Sequence, residues 1–204
     1  PTLYDLEIPD ERDDGFSITI PENYSFVKGR VRIIGSIPED GFETARLQFG
    51  TGLNPGSWIQ IGPDITTPSL YTRLGTWDTT DLEDGIYALQ LVLIQERQGI
   101  EKVSSVVSVD NTPPSMIFTT DLAGGQIPFQ PDDEILFGVE FENSSEIDQV
   151  EFYLNGDLLS SRKVAPYIVP WSLVPGEYEL QITAQDLAGN EVEYSALFEV
   201  FSDE

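Results

Sequence analysis

Two short stretches, GIYALQL at residues 85–91 and GEYELQI at residues 176–182, decide the fold of this chain. In each, a Gly precedes a Tyr by two positions, and apolar side chains then fall at alternate positions: Leu89 and Leu91 in one, Leu180 and Ile182 in the other. That period of two places them on one face of a half-buried β-strand. A Trp stands upstream of each copy (Trp77, Trp171), and a Gly (Gly99, Gly189) followed by a Val-containing strand stands downstream. The pattern G-x-Y-x-L-x-[LI] after a Trp, repeated about ninety residues apart, indicates two copies of one fold. The Tyr lies early in what would be the penultimate strand, where a β-sandwich fixes a corner through the Tyr hydroxyl.

Working outward, short apolar runs alternate with Gly, Pro and Asn. In the first copy the runs are Phe16, Ile18 and Ile20; Val27 to Ile34, closed by Gly35; Ala45, Leu47 and Phe49; Trp58, Ile59 and Ile61; Leu70 to Leu74; Ile86 to Gln95; and Val103 to Val109, with Gln98-Gly99 read as a hairpin turn. About seven strands in roughly a hundred residues is the count of an immunoglobulin-like sandwich. Asp110-Asn111-Thr112-Pro113-Pro114 interrupts the pattern, because Pro cannot donate to a strand ladder and restricts the residue before it. After it come Met116 to Phe118, Ile135 to Phe141, Ile147 to Leu154, Leu158-Leu159, Tyr167 to Trp171, Tyr178 to Ala184 and Val192 to Phe201, with Asn155-Gly156 marking a hairpin. The reading is all-β: an acidic arm over residues 1–14 and two tandem immunoglobulin-like β-sandwiches over residues 15–111 and 112–204.

Composition narrows the chemistry. The 204 residues hold 36 acids, 10 bases, no His and no Cys, for a net charge of −26. Imidazole bases, thiolate nucleophiles, zinc knuckles and disulfides are therefore excluded. The scarcity of Lys and Arg argues against nucleic acid and anionic membrane as partners. Residues 1–110 carry 18 acids to 8 bases and residues 111–204 carry 18 acids to 2, so the second half is the more acidic. Such a coat keeps domains soluble and apart. No run approaches the ~20 apolar residues of a membrane span, and no signal peptide opens the chain, which begins with Pro1 and reads as a piece of a longer protein.

Several motifs invite functional readings. Ser160-Ser161-Arg162-Lys163 matches S-x-x-K, but on a hairpin strand and without the companion elements of a penicillin-recognising site. The carboxylate pairs Asp13-Asp14, Glu39-Asp40, Asp132-Asp133 and Asp203-Glu204 fall in turns and at the chain end, where both members are expected to be solvated alike rather than held in the two contrasting environments that acid/base work needs. Loop oxygens of Asp110, Asn111, Asp186 and Asn190 are the calcium candidates. The alternative for Asp186-Leu-Ala-Gly-Asn190 is a tight turn capped by Asp186. The glycines of Phe49–Trp58 lack a phosphate-loop Lys and a following helix, so they are read as an inter-strand loop. Tyr24, Trp58 and Tyr71 are expected in the core; exposed together, they would stack on sugar rings.

These residues carry a resemblance. FGTGLNPGSWIQIG (49–62), GTWDT (75–79), LEDGIYALQL (82–91) and VDNTPP (109–114) resemble the immunoglobulin-like repeats that follow the catalytic domains of some bacterial bifunctional penicillin-binding proteins. VEFYLNG (150–156), APY (165–167), Trp171 and DLAGN (186–190) are similar to widespread bacterial immunoglobulin-like domains, some of which hold calcium between repeats. The resemblance implies an extracytoplasmic accessory segment of a membrane-anchored peptidoglycan synthase. It carries no catalytic residue, because neither catalytic domain is present. The expected function is a non-catalytic spacer, or a unit recognising peptidoglycan or cell-envelope proteins, with no required cofactor, no metal site and no membrane contact of its own. The alternatives are a calcium-stiffened adhesin stalk and a glycan-binding module of a secreted enzyme.

Overall fold

A computed structural model describes residues 15–95, 99–143 and 146–202. The acidic arm, Asp13-Asp14, Gln98 and Asp203-Glu204 lie outside the described residues. The chain divides into two compact units between Asn111 and Thr112.

Among the described residues, the first unit contains eight strands: β1 (Ser17–Ile20), β2 (Phe26–Val27), β3 (Arg30–Ile37), β4 (Phe42–Thr51), β5 (Ile59–Gln60), β6 (Ser69–Asp78), β7 (Gly85–Gln95) and β8 (Gly99–Val109). They form a three-stranded sheet, β1-β3-β6, and a five-stranded sheet, β2-β8-β7-β4-β5. All pairings are antiparallel except β2 with β8, which is parallel. The second unit contains β9 (Met116–Phe118), β10 (Gln126–Pro128), β11 (Glu134–Phe141), β12 (Ile147–Leu154), β13 (Asp157–Arg162), β14 (Tyr167–Ser172), β15 (Gly176–Asp186) and β16 (Glu191–Phe201). Its sheets are β14-β11-β9 and β10-β16-β15-β12-β13, again with one parallel pair, β10 with β16. Adding eight to every strand number converts the first topology into the second. The sequence repeat is thus a repeat of the whole fold.

Alternation fills each core. Leu89, Leu91 and Leu93 of β7 are fully buried against Ile33, Leu47 and Trp77; Leu180 and Ile182 of β15 are buried against Phe137 and Phe152. Each such side chain contributes on the order of 2 kcal/mol by leaving water. The two tryptophans occupy equivalent strands, Trp77 on β6 and Trp171 on β14. Trp77 packs between Phe49 and Tyr87 at ring-centroid distances of 5.1 and 5.9 Å, and Trp171 meets Tyr178 at 4.7 Å.

The tyrosine corner forms in both units. Tyr87 Oη donates to the Glu83 carbonyl at 2.9 Å, and Tyr178 Oη donates to the Val174 carbonyl at 3.0 Å. In each, the acceptor lies four residues upstream of the ring. The structure also differs from the sequence reading. Val27 and Val31, read as one run, belong to different strands in opposite sheets, because the chain changes sheets between β2 and β3. Strand β10 has no counterpart in the reading: it is three residues long, ends in Pro128, and exists only by pairing with β16.

Candidate functional site

The structure turns most of the candidate residues to structural work. Ser160, Ser161 and Arg162 lie on β13, the outer strand of its sheet, and Ser160 stands opposite Phe152. Residues three apart on extended backbone point to opposite faces, so this S-x-x-K cannot converge as it does on a helix. Lys163 instead reaches Asp148, at 3.6 Å. Glu39 and Asp40 sit exposed in the β3–β4 turn, where the Glu39 carbonyl accepts from Phe42 N–H. Asp132 and Asp133 are exposed in the turn before β11. In the Phe49–Trp58 loop, a Cβ at Gly50 would lie 2.4 Å from Pro55 Cβ and 2.6 Å from the Ser57 carbonyl. Gly50 is there because the loop folds back onto β4.

Asp186 forms the closed turn. Its Oδ1 accepts from Ala188 N–H at 2.9 Å and Asn190 N–H at 2.8 Å, and its Oδ2 accepts from Asn190 Nδ2 at 2.9 Å. The residue is 4% exposed, and its own N–H donates to the Asn190 carbonyl. Asn111 clasps the end of the first unit: Oδ1 accepts from Gly29 N–H at 2.9 Å, Nδ2 donates to the Thr79 carbonyl at 2.8 Å, and its N–H donates to Asp84 Oδ1 at 2.7 Å. Asp110 N–H donates to the Val27 carbonyl, which extends β8 toward the clasp. Among the described residues, no group of three or more carboxylates converges as a metal-binding cluster. No helix there is long and apolar enough to cross a membrane.

The aromatic expectation needs correction. Tyr24 and Tyr71 are not core residues: they are 74% and 66% exposed, and both have positive φ. Trp58 is half-buried. Tyr24 is bonded to β8 through its N–H, whereas Tyr71 belongs to β6 of the other sheet, so the two do not share one sheet face. Tyr71 sits where the β3–β6 register slips, a bulge that turns the outer strand away from further pairing. Period-two reading missed this because a bulge reverses which residues face inward.

What the sequence did not reveal is a polar ladder on the outer face of each five-stranded sheet. In the first unit, Gln48 Nε2 donates to Gln90 Oε1 at 2.8 Å, and Gln90 Nε2 donates to Ser104 Oγ at 3.3 Å. Beside it, Arg46 grips Asp64 through two nitrogens, each at 2.8 Å. The hydrogen bonds from Arg46 hold the Asp64 carboxyl below the usual carboxylate range. In the second unit, Gln149 and Tyr153 both donate to Glu151, at 2.6 Å each, and the bond to Glu151 raises the Tyr153 phenol above its ordinary value. Two depressions lie on this sheet: one of about 300 Å³ bounded by Gln149, Glu151, Thr183 and Gln185, and one of about 470 Å³ over β15 and β16. Cross-strand register, which a single sequence does not show, brings these side chains together.

No family model matches the chain. An uncharacterized protein of Bacillus subtilis (strain 168), YvnB, is 33% identical over 128 residues, which is 62% of this chain and 9% of YvnB. Among solved structures, the fibronectin(III)-like modules of CbhA from Clostridium thermocellum match with a TM-score of 0.53 at 19% identity, covering 91% of this chain and 94% of theirs. The chain has the fibronectin-III/immunoglobulin-like fold. A structure from a 1.5-MDa bacterial ice-binding adhesin matches at a TM-score of 0.43 and 15% identity, over 88% of this chain and 61% of that one.

Proposed function

We propose that the chain is a non-catalytic, extracytoplasmic module of a larger protein, and that it works by position: two closed sandwiches in tandem set the distance between the parts on either side. The observation that carries this reading is the repetition of one eight-strand topology, each copy with its own core and its own tyrosine corner, while the candidate reactive residues among those described serve turns, clasps and surface pairs. The likeness to a stretch making up only 9% of YvnB supports a module inside something long. A cell-wall-building penicillin-binding parent rests on the resemblance of the residue motifs alone.

The test is replacement. In the full-length parent, exchanging this segment for an unrelated sandwich pair of equal length should preserve activity, while deleting it should not. Loss of activity on exchange, with retention of the segment on purified peptidoglycan, would instead make it a wall-recognition unit. Calorimetry in chelator and then in millimolar calcium should leave the melting temperature unchanged. A rise would favour the calcium-stiffened stalk and make Asp110 and Asp186 the ligands to mutate.

A further inference from the structure

The depression of about 470 Å³ on the second unit is a groove floored by the outer face of β15 and β16. Gly125 and Gln126, at the start of β10, border it on one side, and Asn155, in the β12–β13 turn, borders it on the other. Leu197 rises from the floor, 76% exposed, with Glu179 directly opposite it in the register and Glu177 opposite Glu199.

The first unit shows that the fold does not require this arrangement. Matching the β2–β8 and β10–β16 registers equates Glu199 with Ser108, and the β7–β8 and β15–β16 registers then equate Glu177 with Ile86, Glu179 with Ala88 and Leu197 with Val106. The four equivalent positions in the first unit are therefore uncharged. Its border also differs. Two residues before Phe26 stands Tyr24 at φ 65°, and two residues before the equivalent Gln126 stands Gly124 at φ 71°. The second unit keeps the backbone conformation and removes the side chain: a Cβ at Gly124 would meet nothing within 4 Å.

Like charges directly opposite each other weaken a sheet. Glu177 and Glu199 stand so, and the unit's two bases, Arg162 and Lys163, are at the far edge of the sheet at and just beyond the end of β13. Gln126 Nε2 donates to Glu199 Oε2 at 3.0 Å, which satisfies an oxygen without cancelling a charge. We propose that this groove is a docking site for a basic protein segment, one apolar side chain of which covers Leu197 while flanking Lys or Arg residues pair with Glu177, Glu179 and Glu199. A second copy of this chain, at −26, is the wrong occupant by charge. The proposal goes beyond the spacer reading, which stands or falls separately on the replacement experiment.

The test uses the whole 204-residue chain and a peptide of sequence Lys-Lys-Phe-Lys-Lys, followed by amide chemical shifts. Shifts confined to Glu177, Glu179, Leu197, Glu199 and the residues beside them are expected, with binding lost in high salt. The double variant Glu177→Gln/Glu199→Gln should bind about tenfold more weakly, as for the loss of a good charge pair. Gly124→Tyr, which restores the border of the first unit, should block binding. Glu177→Gln alone should raise the melting temperature of the second unit, which shows both that it folds and that the opposed charges oppose stability. No binding, shifts spread over the acidic surface of both units, equal binding of Lys-Lys-Gly-Lys-Lys, or no rise in melting temperature would each overturn the proposal.

Discussion

Replacing Tyr87 with Phe removes one oxygen and leaves the ring. The ring is 5% exposed and packs 6.3 Å from Phe49 and 5.9 Å from Trp77, so the variant keeps its apolar burial and loses only the bond to the Glu83 carbonyl. That bond is partly buried, and its net worth is about 1 kcal/mol. For a unit of this size, 1 kcal/mol corresponds to roughly 4–8 °C in melting temperature. Tyr178→Phe removes the equivalent bond, but at an exposed position where water can replace the hydroxyl at the Val174 carbonyl, so the cost falls to about 0.5 kcal/mol or less. Calorimetry on the whole chain should show the Tyr87→Phe loss in the first unit's transition alone, exceeding the loss from Tyr178→Phe in the second. Tyr87→Ala, which also empties the ring's place, should cost about 3–5 kcal/mol. If Tyr87→Phe were neutral, or matched Tyr87→Ala, the corner would not be the device described.

Three further expectations follow from the geometry. Asp186→Ala strips acceptors from three N–H groups and should lower the second unit's stability by about 2–3 kcal/mol, read by denaturant titration, with Asp186→Asn falling between. Gly50→Ala drives a Cβ into Pro55 and the Ser57 carbonyl and should cost the first unit about 1–3 kcal/mol, with amide shift changes centred on residues 50–58. On acidification, Asp64 resists protonation in the folded state because Arg46 holds it ionised, while the unfolded chain takes up the proton at an ordinary carboxylate pKa; the pair's contribution is therefore present at neutral pH and lost as pH falls below about 4. Arg46→Met should flatten that part of the first unit's acid-unfolding profile, and an unchanged profile would remove the pair from the account.

The fold was legible where side-chain chemistry forces backbone geometry. The alternation in 85–91 and 176–182 placed Leu89, Leu91, Leu180 and Ile182 in their cores, and the Tyr two residues after each Gly announced its corner. Asp186 and Asn190 were readable as a capped turn because the side chain bonds its own backbone. Features made by pairing between distant strands were not readable. The switch between β2 and β3, the parallel β10–β16 pair, the bulge at Tyr71 and the opposed Glu177 and Glu199 all depend on register, and register is set by the assembled sheet. The same holds for the groove: Glu199 joined Glu177 and Glu179 only when β15 paired with β16.

This chain is one sandwich fold made twice, each copy closed on its own core. The most direct measurement is to express residues 15–111 and 112–204 separately and overlay their amide spectra on that of the whole chain. Two dispersed spectra that together reproduce the parent's, apart from residues near Asn111 and Thr112, are the result this account requires. Collapse of either piece into an unfolded spectrum would contradict it.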